Sequence, residues 1–317
     1  MAEPTITTTY AGQFAGKYIS AALLSPSTID NGGVTVLPNV KFKEVLQNVA
    51  TSTLLANATC DFDAAGSTVT LTEKVLTTNE LQVNMQLCKS QFFNTWQSLE
   101  MGASQFSDLP KSFQDYLLGY VAGKVASEME TTLWSGAAGA AGGLTDGGFT
   151  VLAAAQLAAT PANIIAPVAG GVTAANVIDE LGKVVDAINS QTNIYGYEDT
   201  RIFVSRNVMA AYVRALGGFA ATGANGVDNR GTMWYADGGG VSFDGIKLFM
   251  AEGLASDRML AAQISNLYYG VSLLSDTQEA RVIDVSAYDG SDNVRVVMRM
   301  AAGAQIGVAS DVIYYGA

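Results

Sequence analysis

The sequence predicts an α+β protein laid out as an N-terminal arm, a long β-hairpin, one unusually long helix, an α/β region and a set of closing strands. Three observations carry that reading. Between Ser107 and Trp134 the apolar residues Phe113, Tyr116, Leu117, Tyr120, Val121, Val125, Met129 and Leu133 recur at spacings of three and four, which is one stripe along a helix. The middle of the chain alternates helical and strand patterns. From Ile246 onward the patterns are mostly strands, and no repeat with a period of about 20 to 50 residues is visible.

Residues 1–45 read as an arm, Thr-rich at first and then punctuated by Ser25-Pro26-Ser27 and Asn31-Gly32-Gly33. Little in it could form a core of its own, so it is either disordered or ordered by a neighbour. TVLPNVKF then becomes extended, with Pro38 at a kink or a sheet edge. A weakly helical pattern follows over 46–58. Cys60 to Gln91 reads as a hairpin turning around Glu73-Lys74, with Val69 and Leu71 alternating against threonines, and Leu81, Val83, Met85 and Leu87 against Gln82, Asn84 and Gln86. An isolated ribbon is marginally stable, so this one needs outside support.

The long helix comes next, about 38 Å from end to end. Asp108 suits its N-cap and Pro110 its first turn, while Lys111, Gln114, Asp115, Lys124, Ser127 and Glu130 lie off the apolar stripe. Gly136 and the glycines behind it end the run and read as a flexible hinge leading into a small-residue connection up to 172. Thr173 caps a second helix, with Val177, Leu181, Val184, Val185 and Ile188 on one face. Arg201 to Val204 is a short strand, and Asn207 to Leu216 a third helix carrying Ala210, Tyr212, Val213 and Leu216. Residues 217–245 form a long glycine-rich loop with Trp234 and Tyr235, of the kind that makes contacts. The closing strands are Ile246–Met250, Met259–Ala262, a stretch around Leu267–Leu274, Ala280–Val285 and Val294–Met300, the last alternating with Arg295 and Arg299.

Composition narrows the function. Charged residues make up 15% of the 317-residue chain, against roughly 25% in a typical soluble domain, so much of the surface is expected to be covered by other copies. A net charge of −12 argues against a sequence-reading nucleic-acid binder, which needs cations to replace phosphate counterions. With no histidine, the Ser-His-Asp and Cys-His triads and histidine-ligated zinc are excluded. The N-terminus lacks the basic and apolar regions of a signal peptide, and prolines and polar residues interrupt the uncharged stretch Gly147–Ile178, so a membrane span is not expected.

No catalytic, cofactor-binding or metal-binding residues are assigned. The glycines form neither GxxxxGK[ST] nor GxGxxG. Asp61 with Asp63 and Asp289 with Asp292 do not match a calcium loop and read as solvated turns. A hairpin centred on Lys74 would set Cys60 opposite Cys88, so these are either two free thiols, as a reducing compartment favours, or a cross-strand disulfide. Arg295 and Arg299 either pair with carboxylates of a neighbouring copy or lie on a solvated strand face.

This order of elements resembles the major capsid proteins of tailed double-stranded-DNA bacteriophages, the Hong Kong ninety-seven fold that encapsulin shells share. The resemblance runs over almost the whole chain and rests on layout more than on any one motif. Its most specific part is DTRIFVSRNVMAAYVRAL, a buried strand followed by a polar turn at Asn207 and a helix with Tyr212 near its middle. FDGIKLFMAEG looks like the strand that follows the axial loop, and VRVVMRMAAGAQIGVASDVIYY resembles the closing peripheral strands.

The resemblance implies an arm (1–45), a connector (46–59), an extended hairpin or E-loop (60–91), a peripheral domain with its spine helix (92–139), an axial domain (140–260) and closing strands (261–317). It implies a non-enzymatic subunit that assembles with itself into the hexamers and pentamers of an icosahedral shell in the host cytoplasm and then resides in the virion. The shell would enclose DNA without gripping its sequence. The hairpin would lie over a neighbour, with Glu73, Lys74, Arg295, Arg299, Trp234 and Tyr235 as candidate inter-subunit contacts. Some members cross-link lysine to asparagine through the hairpin, and Lys74 sits at such a place, without an identified partner. Because the chain starts at Met1 without a scaffolding segment, a separate scaffolding protein is implied, besides a portal and decoration proteins. An encapsulin-like compartment, a cell-surface structural protein or an enzyme are the alternatives.

Overall fold

The apolar alternation of the last long strand organises the first of two sheets. The computed structural model describes residues 27–51, 60, 69–88, 111–190, 198–216, 241–272, 280–285 and 290–316. Strand β12 (Asn293–Ile306) is twice the expected length. Up to Met300 its even-numbered residues are buried while Arg295 and Arg299 are exposed, and from Met300 to Ile306 every residue is buried. Strand β4 (Asn79–Cys88) runs antiparallel along one edge, from Asn293 opposite Cys88 to Ala302 opposite Asn79. The other edge takes β11 (Ala280–Asp284) along its first half and β10 (Leu267–Val271) along its second. Strand β1 (Thr35–Leu37) adds in parallel to β10.

The long helix α2 (Lys111–Ser135) lies against this sheet. Val121 is buried with Val294 and Val296, and Leu118, Val125, Val83, Met85 and Leu87 close around them. This part of the expected stripe holds. Two positions depart from it: Tyr120 is exposed, whereas Glu130, expected on the polar face, is buried. Asp108 and Pro110 lie outside the described residues.

The second sheet has the order β5–β13–β9–β6–β8–β7. Its strands are β5 (Ile164–Ile165), β6 (Thr200–Val204), β7 (Ser242–Phe243), β8 (Ile246–Met250), β9 (Met259–Gln263) and β13 (Ile313–Tyr315). Period-two alternation in β6 serves two cores at once. Ile202 and Val204 pack with helices α4 (Val177–Ser190) and α5 (Arg206–Ala215). Phe203 points the other way, 5.0 Å from the Trp134 ring of α2 and 5.3 Å from Phe249. The end of the long helix is thus wedged between the two sheets in one core.

Several expectations are corrected. Of the stretch 46–58 expected to be weakly helical, residues 46–51 belong to a strand, β2 (Lys43–Thr51), and residues 52–58 lie outside the described residues. Val45, Leu46, Val49 and Ala50 sit at helix-like spacings, but pairing with β3 (Val69–Thr77) overrides that local signal. The hairpin is therefore β2–β3; β3 and β4 do not pair with each other, and the two ladders diverge at Thr78. The connection after α2 holds a missed helix, α3 (Phe149–Gln156), whose Phe149 and Leu152 are buried. The glycines before it make fixed turns rather than a loose hinge. Gly148 donates to Gly136 O at 2.8 Å, and a Cβ on Gly148 would lie 2.7 Å from the Thr132 carbonyl oxygen. At α4 it is Asn176, not Thr173, that immediately precedes the helix: its carbonyl accepts from Glu180 N–H at 3.0 Å, and its side chain accepts from Thr173 N–H at 2.7 Å in the turn before it. On α5 the buried face is Val208, Met209, Ala211 and Tyr212, so the stripe is rotated from the expected one and Leu216 is exposed.

Candidate functional site

Two features stand out: the β2–β3 ribbon and the junction where the N-terminal segment meets α2. In the ribbon's register Val45 faces Val75, Gln47 faces Glu73, Val49 faces Leu71 and Thr51 faces Val69, all on one face. Leu46, Lys74, Asn48, Thr72, Ala50 and Thr70 make the other, mostly polar face. The first face is an apolar stripe in the open: Val45 is 47% exposed, Val49 58%, Val69 64% and Leu71 73%. Its valine–valine and valine–leucine pairs match strand chemistry, but among the described residues nothing covers them.

The base of the ribbon is rigidly held. Leu76 is fully buried over Gly270 and Gly303, which are themselves partners in the β10–β12 ladder. Thr78 donates its N–H to Phe42 O at 3.0 Å, and Val40 N–H donates to Val271 O at 3.0 Å. Gln305 bridges behind it, accepting from Gln156 Nε2 at 2.8 Å and donating to Val75 O at 2.8 Å. A groove of about 770 Å³ opens beside this base, lined by Lys41, Glu80, Gln82, Ser272, Arg299 and Met300 among others.

At the junction, α1 (Ser27–Asp30) brings Thr28 against Glu130, with the hydroxyl donating to Glu130 Oε1 and the N–H reaching Oε2 at 3.4 Å. Trp134 Nε1–H donates to Thr28 Oγ1 at 2.7 Å. Burial holds the Glu130 carboxyl above the usual carboxylate range, against the pull of these donors and the Gly253 amide. Gly253 is pressed so close that a Cβ there would lie 2.0 Å from the Glu130 carbonyl oxygen, and its own carbonyl accepts from Ser135 Oγ at 2.8 Å.

Other polar contacts tie the second sheet's loops. Asn207 Nδ2 donates to Asp257 Oδ1 while the Asp257 N–H returns to Asn207 Oδ1 at 3.1 Å, and Asp257 Oδ1 also accepts from Val172 N–H at 2.8 Å. Asp257 holds a φ of 59°, a conformation this network fixes. Tyr315 donates to buried Glu180 at 2.8 Å, and Lys183 pairs with the same carboxylate at 2.7 Å.

The expected contact residues do not converge. Glu73 is exposed and Lys74 half-buried on opposite faces of β3. Arg295 is exposed on β12 and donates to Gln86 Oε1 at 3.0 Å within the chain, whereas Arg299 lines the groove opposite Gln82. Trp234 and Tyr235 lie outside the described residues. The disulfide geometry is overturned: Cys88 faces Asn293 on β12, Cys60 is exposed in the span between β2 and β3, and no bond joins them. The cause is the β2–β3 pairing, which removes the register that would have set the two cysteines opposite each other. Sequence reading also passed over β2, Glu130 and the Gly270–Gly303 pair. Only β2 left a signal, its β-branched Val45, Val49 and Thr51, all at odd positions as one strand face requires. Among the described residues no cluster of His, Cys, Asp and Glu could hold a metal ion, and no helix is long and apolar enough to cross a membrane.

The apolar ribbon anchored in a five-stranded sheet, the long helix across that sheet and the second α/β unit make one arrangement, which solved structures share. The capsid of the native GTA particle is 13% identical with a TM-score of 0.57, the match covering 100% of this chain and 96% of that one. The capsid of Myoviridae phage XM1 is also 13% identical with a TM-score of 0.57, over 94% of each chain. A Mycobacterium phage Adephagia chain is 17% identical with a TM-score of 0.56, over 96% of this chain and 94% of that one. No protein-family model matches the sequence, and no curated protein matches it. The chain has the fold of the major capsid proteins of tailed bacteriophages.

Proposed function

We propose that this protein is the structural subunit of an icosahedral capsid shell that encloses the double-stranded DNA genome of a tailed bacteriophage. The β2–β3 ribbon carries that reading. It extends from a locked base and leaves Val45, Val49, Val69 and Leu71 open to solvent, on a chain that buries β6, β9, β10 and β13 almost throughout. A monomer gains nothing from such a stripe, and a second copy covering it would remove it from water. The low charge and the overall negative balance suit a surface that packs against itself and does not bind DNA backbone.

In this reading β2–β3 is the E-loop and α2 the spine helix. The five-stranded sheet is the core of the peripheral domain and the six-stranded sheet that of the axial domain. Glu73 and Lys74 on the ribbon and Arg299 at its base are contact candidates, as is Arg295 on the same exposed face of β12 as Arg299; Trp234 and Tyr235 remain candidates from the glycine-rich stretch 217–245. The first partner is the chain itself, in hexamers and pentamers. A scaffolding protein, a portal and decoration proteins come after it, assembly takes place in the host cytoplasm, and the finished shell belongs to the virion.

Electron microscopy of the purified chain, alone and co-expressed with the scaffolding protein of its source, tests this. Closed shells of uniform size are expected. A monodisperse monomer under both conditions overturns the reading.

A further inference from the structure

The entry of the chain into the fold is fastened by one buried carboxyl. Glu130 is 1% exposed and joins three distant segments: α1 through Thr28, α2 itself and the loop at Gly253. The α1 turn is closed by Gly33 N–H donating to Thr28 O at 2.7 Å and Gly32 N–H donating to Ile29 O at 3.1 Å. Gly33 in turn packs on Phe249, where a Cβ would lie 2.9 Å from the ring. Thr28 thus couples Glu130, through its side chain, to the Gly33 amide, through its carbonyl.

Thr28 uses both carboxyl oxygens as acceptors; a glutamine would keep one of them, place an NH2 group at the other and, unlike the carboxyl, would not titrate. The charged groups on the elements packed around it are all acidic or already paired. Asp30 on α1 is exposed, Glu252 lies beside Gly253, and Glu128 on α2 pairs with Lys124 at 3.4 Å. What acts on the Glu130 proton is burial, opposed by hydrogen bonds, with no coulombic contribution from a lysine or arginine. A buried carboxylate with donors but no cation is costly to form.

We propose that Glu130 is a proton-operated clasp on the N-terminal segment, holding residues 27–33 to the long helix more tightly when its carboxyl is neutral than when it is ionised. In the open state the carboxyl is solvated and titrates in the ordinary range; in the clasped state it titrates higher. The hold is therefore full below the open-state value, weakens as pH rises through the clasped-state value, and is constant above it. The clasp does not depend on the shell reading, since it is a property of the single chain.

Hydrogen exchange of the Gly33 amide in the full-length, unassembled chain tests it, after correction for intrinsic exchange. Opening is expected to be greater at about pH 8 than at about pH 5 in the wild type, by roughly twofold or more. In Glu130→Gln it is expected to stay the same at both. Equal opening at the two pH values in the wild type overturns the proposal, as does a parallel change in both proteins. Thr28→Ala supplies a second arm, because the ionised carboxyl depends most on the hydroxyl donor. Its opening should exceed that of the wild type more at about pH 8 than at about pH 5, and an equal effect at the two values also overturns it.

Discussion

Gly270 and Gly303 face each other across the β10–β12 ladder, and the side chain of Leu76 lies over both. That seat is where the exposed ribbon is fastened to the body of the protein. A Cβ on Gly303 would come within 2.5 Å of the Thr77 carbonyl oxygen, a backbone atom, while one on Gly270 would meet the end of the Leu76 side chain at 2.5 Å. Side-chain ends can move and a paired backbone cannot. Gly303→Ala is therefore expected to cost about 3 kcal/mol and Gly270→Ala about 1 kcal/mol. Leu76→Ala should cost about 3 kcal/mol by leaving a cavity. Denaturant unfolding of the three variants checks the order.

Asn207 and Asp257 hold the start of α5 to the loop before β9 by two reciprocal hydrogen bonds. Asn207→Ala strips Asp257 of its side-chain donor and leaves the left-handed backbone at Asp257 less supported. A loss of about 2 kcal/mol is expected, read as a lowered midpoint in thermal or denaturant unfolding, with Asn207→Asp at least as damaging because two carboxylates would meet.

Two tyrosines set an alkaline limit. Burial pushes Tyr269 up to about 12, and Tyr315, buried and donating to Glu180, is also pushed up to about 12. Both groups are ionised at lower pH in the unfolded chain than in the folded one, so their stabilising effect is complete below about pH 10 and is lost as pH rises through about 12. Melting temperature measured across that window should fall steeply. In Tyr269→Phe the fall should be shallower, although the starting stability differs.

Cys60 is exposed and Cys88 lies in the sheet opposite Asn293. A bulky thiol reagent is expected to label Cys60 in the native protein well before Cys88, and intact mass should show no disulfide. Equal labelling rates would contradict this placement.

The parts of the fold that were legible in the sequence are those where burial on one face imposes a period. Val121, Val125 and Leu133 in α2, Leu181 to Ile188 in α4, Ile202 and Val204 in β6, and Val294 to Met300 in β12 all follow it. The ribbon was misread because neither of its strands is buried along most of its length, so its alternation marks two faces without saying which strand β3 pairs with. Its pairing is decided by β4, which β12 captures along ten residues, leaving β3 to pair backwards with β2. Glu130 escaped notice for a related reason: its partner Thr28 is far away in sequence, and a glutamate off the apolar stripe looks like any solvated one. The Gly270–Gly303 seat is invisible one glycine at a time and exists only in the paired register.

The most direct test of the shell reading is charge placed on the open stripe. Leu71 is 73% exposed and Val49 opposite it 58%, so Leu71→Glu and Val49→Glu should leave the stability of the single chain within about 0.5 kcal/mol. Sedimentation velocity under conditions where the wild type forms shells is the measurement. The stripe's role predicts that both variants remain as folded small species with no shell peak; shells forming at wild-type yield from either charged variant would contradict it.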